Sequence, residues 1–141
     1  KLDTFLKVGF TKEEVISLTT SNPYLFLYSS ENILGKIECL KGCKIQDDEI
    51  KQICLNLPIV FGYTNQTIEE KISFCRELFL SNDRIILHNA LQYSIDFLKA
   101  RFSFFQKNEI REFETYLFLS ENDFSKKFSV TTHDLLKEMN G

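Results

Sequence analysis

Phe10-Thr-Lys-Glu-Glu-Val15 and, thirty-five residues on, Ile45-Gln-Asp-Asp-Glu-Ile50 decide the fold, because the offset between them governs the rest of the chain. The same shift of 35 lays Pro23 on Pro58, Tyr28 on Tyr63, Ile33 on Ile68, Lys36 on Lys71 and Ile37 on Ile72. One offset that carries prolines, tyrosines, lysines and aliphatics together marks a repeat, in which each unit buries its apolar face on its neighbours. Working outward, a third, shortened copy starts near Ser81: a shift of 65 puts Tyr28-Ser29 on Tyr93-Ser94, Ile33 on Leu98, Lys36 on Arg101 and Ile37 on Phe102. A fourth copy repeats Tyr24-Leu-Phe-Leu27 as Tyr116-Leu-Phe-Leu119 and Ser30-Glu-Asn32 as Ser120-Glu-Asn122. At a shift of 91, Ile33, Lys36 and Ile37 then fall on Phe124, Lys127 and Phe128. Degenerate terminal copies are expected of a stack that needs capping.

Local signals within a copy are helical. Thr11-x-x-Glu14 is a capping box, and Val15, Ile16 and Leu18 follow as an apolar stripe. Asn22-Pro23 ends that helix, because proline pushes its predecessor out of the helical region. Pro23–Leu27 is too short for a full helix and predicts a tight turn or one 3₁₀ turn. Ser29 caps a second helix, Ile33, Ile37 and Leu40 form its buried face, and Gly42 is the expected stop. In the second copy Gln46 or Asp47 caps, Pro58 breaks, Thr64 caps again, and the stripe runs Ile68, Ile72, Cys75, Leu78-Phe79. The expectation is one all-α helical-repeat domain over 1–141, with copies at about 10–44, 45–80, 81–107 and 108–128 and a C-terminal cap at 129–141.

Composition bounds the remaining possibilities. In 141 residues, 43% are hydrophobic and only seven are Gly or Pro, enough for a packed core and too few of the latter for a low-complexity chain. Apolar runs reach five residues, as in Tyr24–Tyr28, so no membrane span is expected. Seventeen Lys and Arg against twenty Asp and Glu give a net charge of −3, which excludes a uniformly basic surface. Any nucleic-acid binding therefore requires a local basic track. Cys39, Cys43, Cys54 and Cys75 form no Cys-x-x-Cys pair and lie far in sequence from His88 and His133, so neither a metal site nor a cofactor is expected. Cys39 and Cys75 instead occupy slots of the apolar pattern, as small hydrophobes, and free thiols fit a reducing intracellular compartment. The chain opens on Lys1 rather than Met, as a fragment or processed product would, so its lack of a targeting peptide carries no information.

Gly9-Phe-Thr-Lys-Glu-Glu-Val and Asn22-Pro-Tyr-Leu-Phe-Leu-Tyr-Ser-Ser-Glu-Asn-Ile-Leu-Gly-Lys-Ile resemble a repeat of the mitochondrial transcription termination factor (mTERF) family. Leu119-Ser-Glu-Asn-Asp-Phe-Ser-Lys-Lys-Phe is similar to the closing segment of such proteins. The resemblance implies a right- or left-handed superhelical solenoid of short helical repeats that binds nucleic acid on its concave, basic side. It also implies a role in transcription regulation or termination, or in RNA maturation. It places the protein in a mitochondrion or plastid if the source is eukaryotic and in the cytoplasm if bacterial. The chain departs from the family pattern in being acidic overall, in holding about four copies, and in lacking proline in the third.

Charge distribution then points to a site. The C-terminal halves of the four second helices hold ten basic residues, among them Lys36, Lys41, Lys71, Arg76, Lys99, Arg101 and Lys127, against two acids, Glu38 and Glu77. Acids gather on first helices, as in Glu13-Glu14 and Asp47-Asp48-Glu49. In register, Lys36, Lys71, Arg101 and Lys127 are expected to form one cationic line away from the apolar stripes, with Lys41, Arg76 and Lys99 beside it. Such a line suits the phosphate backbone of double-stranded DNA or RNA, and Arg101 is its strongest expected ligand because a guanidinium grips phosphate in bidentate fashion. The competing explanation is that cations near helix C-termini complement the helix dipole without binding anything. No phosphate-binding Gly-rich loop, His-x-x-x-His or nucleophile elbow occurs, so no enzyme is expected. The chain is expected to be a monomer, and the alternative function is a helical-repeat scaffold for a protein partner without nucleic-acid binding.

Overall fold

The computed structural model describes residues 2–79 and 84–140. All regular structure among them is helical. The start of the third copy near Ser81 lies outside the described residues. The chain divides into two compact units, residues 1–72 and 73–141.

In residues 1–72, α1 (Leu2–Lys7) precedes α2 (Lys12–Ser21), a 3₁₀ turn (Pro23–Leu27) and α3 (Ser30–Gly42). The second copy then gives α4 (Asp47–Asn56), a second 3₁₀ turn (Pro58–Gly62) and α5, which begins at Asn65 and runs to Phe79. The capping box closes as expected: Thr11 Oγ1 accepts from Glu14 N at 3.1 Å, and Glu14 Oε1 accepts from Thr11 N at 2.9 Å. Ser29 Oγ accepts from Asn32 N, and Thr64 Oγ1 from Thr67 N. Ile33, Ile37, Leu40, Ile50, Ile53, Val60, Ile68 and Ile72 are buried, so the 3.6-residue stripes of both copies make the core of this unit.

One boundary corrects the sequence expectation. Gly42 is the last helical residue of α3 and not its left-handed stop; that conformation falls on Lys44, at φ 64°. Lys44 N donates to Lys41 O, and Ile45 N to Leu40 O, which is the Schellman arrangement with its apolar Leu40–Ile45 contact positions both buried. The same pair of bonds closes α1 at Gly9 and Phe10, with φ 104° at Gly9.

Residues 73–141 hold the rest of α5, then α6 (Arg84–Gln92), α7 (Ile95–Lys107), α8 (Phe113–Tyr116), α9 (Glu121–Phe128) and α10 (Thr132–Asn140). Without a proline, the third copy passes from α6 to α7 with no 3₁₀ turn, and Ser94 caps α7 through Phe97 N. The core is aromatic: Phe105 packs against Phe113, Phe124 and Phe128, and Phe102 lies edge-on to Phe74 and Phe113. These rings are packing, as the stripe positions require. The segment expected to cap the chain is helical, and α10 lies along α7.

Candidate nucleic-acid interface

The expected cationic line divides by burial. Arg101, on α7, has no exposed surface. Its Nε donates to Thr132 Oγ1 at 2.8 Å, its Nη1 to the carbonyls of Leu117 at 2.9 Å and Leu119 at 2.6 Å, and its Nη2 lies 3.4 Å from Glu121 Oε2. The guanidinium carbon sits 4.2 Å from the Phe97 ring centre and 4.1 Å from that of Phe124, one ring from its own helix and one from α9. Burial pulls the Arg101 pKa down while Glu121 opposes the fall. A cation enclosed with its donors satisfied by fixed acceptors is a structural clasp, so Arg101 is corrected from the strongest expected phosphate ligand to a link between the third and fourth copies.

Lys71 is corrected in the same direction. It is 3% exposed, with its Nζ 3.9 Å from the centre of the Tyr63 ring, and burial lowers its pKa. Lys36 is half-buried and donates to Asn65 Oδ1 at 3.1 Å, at the start of the next copy's second helix. Arg76 is half-buried on α5. The equivalent position of the repeat therefore faces inward, towards rings and the neighbouring copy, in three of its four occurrences. Lys127 is the exception, exposed with its Nζ 5.4 Å from the Tyr116 ring centre.

Other basic residues of the second helices stand in solvent. Lys41, Lys44, Lys99, Lys107 and Lys126 are all exposed. Lys41 has a surface acid one turn back, Glu38 at 3.8 Å, a pair worth little in water. Of these second-helix cations, Lys41 and Lys44 lie at and just past the end of α3 in residues 1–72, and Lys99 and Lys107 on α7 and Lys126 and Lys127 on α9 in residues 73–141. One acid of the first helices is engaged with structure. Glu14 closes its capping box and meets Lys51 of α4 at 2.7 Å, a hydrogen bond that holds its carboxyl below the ordinary range.

Sequence reasoning missed the tyrosine links. An added Cβ on Gly62 would sit 2.9 Å from the Tyr28 hydroxyl, and Tyr93 donates to Phe118 O at 3.3 Å while stacking on its ring. Tyr28 and Tyr93 thus each reach into the following copy. Their recurrence in the 35- and 65-residue alignments was the available signal.

The cysteines are apolar filling. Burial pushes Cys54 and Cys75 up to about 12 and Cys39 up to about 11, so their thiolates are suppressed. Among the described residues, no group of three or more His, Cys, Asp or Glu side chains is placed to hold a metal ion, and no helix is long and apolar enough to cross a membrane.

No curated protein and no solved structure matches the chain. The mTERF family model matches residues 1–120, which takes in α1 to α8 and the turn beyond. With helical copies of this design spanning that length, the chain belongs to the mTERF family.

Proposed function

We propose that the protein binds nucleic acid through its backbone phosphates, using the exposed lysines of the second helices. The observation that carries this reading is the exposure of Lys41, Lys44, Lys99, Lys107, Lys126 and Lys127, while Arg101 and Lys71, which share a register position with Lys127, are internal. Ammonium groups on flexible stems neutralise phosphates without reading sequence, so these interactions position the nucleic acid and contribute most of the affinity. Family membership supports the same ligand class. Its finer role in this reading is transcription regulation or termination, or RNA maturation, in a mitochondrion or plastid of a eukaryote or the cytoplasm of a bacterium. The mechanism is binding without turnover.

Fluorescence anisotropy with a duplex DNA and a duplex RNA of the same sequence, titrated at rising salt, tests the proposal. Affinity that falls steeply with salt supports it. Absence of binding to either duplex at low salt removes it and leaves the protein scaffold.

A further inference from the structure

Cys39 and Cys43 are paired in space, and packing alone does not require sulfur at either position. Both stand at the end of α3, where Cys43 N donates to Cys39 O at 3.1 Å, so the two side chains rise from one face of the helix. The two thiols hydrogen-bond to each other. Both are half-buried and neither is in a disulfide, whereas Cys54 and Cys75 are fully buried. Other copies do without sulfur here: shifts of 35 and 65 lay Cys39 on Phe74 and Phe104, and Cys43 on Leu78 and Asn108.

The surroundings of the pair are polar. Cys39 Sγ lies 3.8 Å from the carbonyl oxygen of Asn65, the first residue of α5. One turn back on α3, the Lys36 ammonium donates to Asn65 Oδ1 at 3.1 Å. Its charge favours a thiolate at Cys39, while Glu69, one turn along α5, opposes it. Burial and the neighbouring thiol hold the Cys39 proton in place, so the pair suits an ion that displaces protons better than an oxidant that needs a free thiolate.

Spacing selects the ion. Residues four apart on a helix hold their Cβ atoms about 5–6 Å apart. A disulfide needs about 3.5–4.5 Å, so closing one would unwind the last turn. A single ion set between the sulfurs fits the wider gap. Structural zinc takes about four ligands. Among the described residues no group of three or more His, Cys, Asp or Glu side chains is placed to begin such a set. Cu(I) is soft, prefers thiolate, and is satisfied by two of them in line.

We propose that Cys39 and Cys43 bind one Cu(I) ion as a two-coordinate dithiolate, on the side of α3 that meets the start of α5. Two S–Cu bonds form and both thiol protons pass to solvent. No oxidation state changes, and the complex carries a net charge of −1 beside the Lys36 ammonium. The site is independent of nucleic-acid binding.

Transfer of Cu(I) from its coloured complex with bicinchoninate, under nitrogen, tests it on residues 1–141. One equivalent is expected to move to the protein, with two protons released per ion. Cys39→Ser and Cys43→Ser should each weaken binding by more than about 100-fold, beyond the loss that follows removal of an outer-shell partner. Cys54→Ala combined with Cys75→Ala should bind as the parent does. On the unaltered protein, Cu(I) should shield Cys39 and Cys43 from iodoacetamide, read by mass spectrometry, and equimolar Zn(II) should not. Absence of transfer would overturn the proposal, as would equal shielding by Zn(II) or binding that survives either serine substitution.

Discussion

Arg101 and Thr132 are joined by a 2.8 Å hydrogen bond from Nε to Oγ1, across 31 residues of sequence and between two fully buried side chains. Thr132 N in turn donates to Glu121, whose other carboxylate oxygen faces the guanidinium. The bond thus ties α7, α9 and the start of α10 into one polar network inside an aromatic core. Arg101→Met should cost about 3–5 kcal/mol, because it strands two carbonyls and a carboxylate that the guanidinium now satisfies. Lys99→Gln, two residues away on the exposed side, should stay within about 0.5 kcal/mol. Urea unfolding followed by circular dichroism checks both, and a stable Arg101→Met that had lost only affinity would restore the phosphate role.

Glu121 makes this network acid-sensitive. Burial by itself raises its carboxyl, but the Thr132 hydrogen bonds and the Arg101 charge together hold it below the ordinary value. A group depressed in the folded state contributes stability above its unfolded pKa of about 4.3, and loses it as pH falls through the folded value. Thermal unfolding from pH 6 downward should therefore show a loss of stability beginning near about 4.3. Glu121→Gln should flatten that part of the profile; an identical profile would remove Glu121 from the account.

The end of α3 gives a test of opposite signs. Gly42 is helical with open space around its α-carbon, so Gly42→Ala should stabilise by about 0.5 kcal/mol. Lys44 carries a side chain at φ 64°, so Lys44→Gly should stabilise by about 1 kcal/mol. Were Gly42 the left-handed residue, Gly42→Ala would destabilise instead. Chemical denaturation of the two variants decides.

The tyrosine brace is testable by a double-mutant cycle. Gly62→Ala should cost up to about 1 kcal/mol, since the new methyl would meet the Tyr28 hydroxyl at 2.9 Å and displace the outer end of that ring. Tyr28→Phe removes that oxygen, so the double variant should recover most of the loss, and strict additivity would show that the two residues do not touch.

The repeat was legible because its signals are local: Thr11-x-x-Glu14, Pro23 and Ser29 each fix a boundary within four residues, as do Pro58 and Thr64 in the second copy. The site was legible only in part. Lys36, Lys71 and Arg101 share a register position with Lys127, and periodicity assigns all four the same surroundings. What separates them is tertiary. The acceptors of Arg101 at Leu117, Leu119 and Thr132 lie 16, 18 and 31 residues away, beyond the reach of any helical pattern. The ring that takes Lys71 is nearer, at Tyr63, but a tyrosine beside a helix cap looks the same in sequence whether it serves its own turn or a neighbouring cation. The helix stop was missed for a local reason, since glycine is the favoured left-handed residue and here lysine adopts that conformation.

The salt dependence of duplex binding tests most directly whether the exposed lysines, and not the register line, engage phosphate. Removing one lysine–phosphate pair should reduce the slope of log affinity against log salt by about 0.9 for duplex DNA. Lys41→Gln, Lys99→Gln and Lys126→Gln combined should flatten the slope by up to about 2.7, with an unchanged helical circular dichroism spectrum and unfolding midpoint. A slope equal to that of the parent protein would contradict the account.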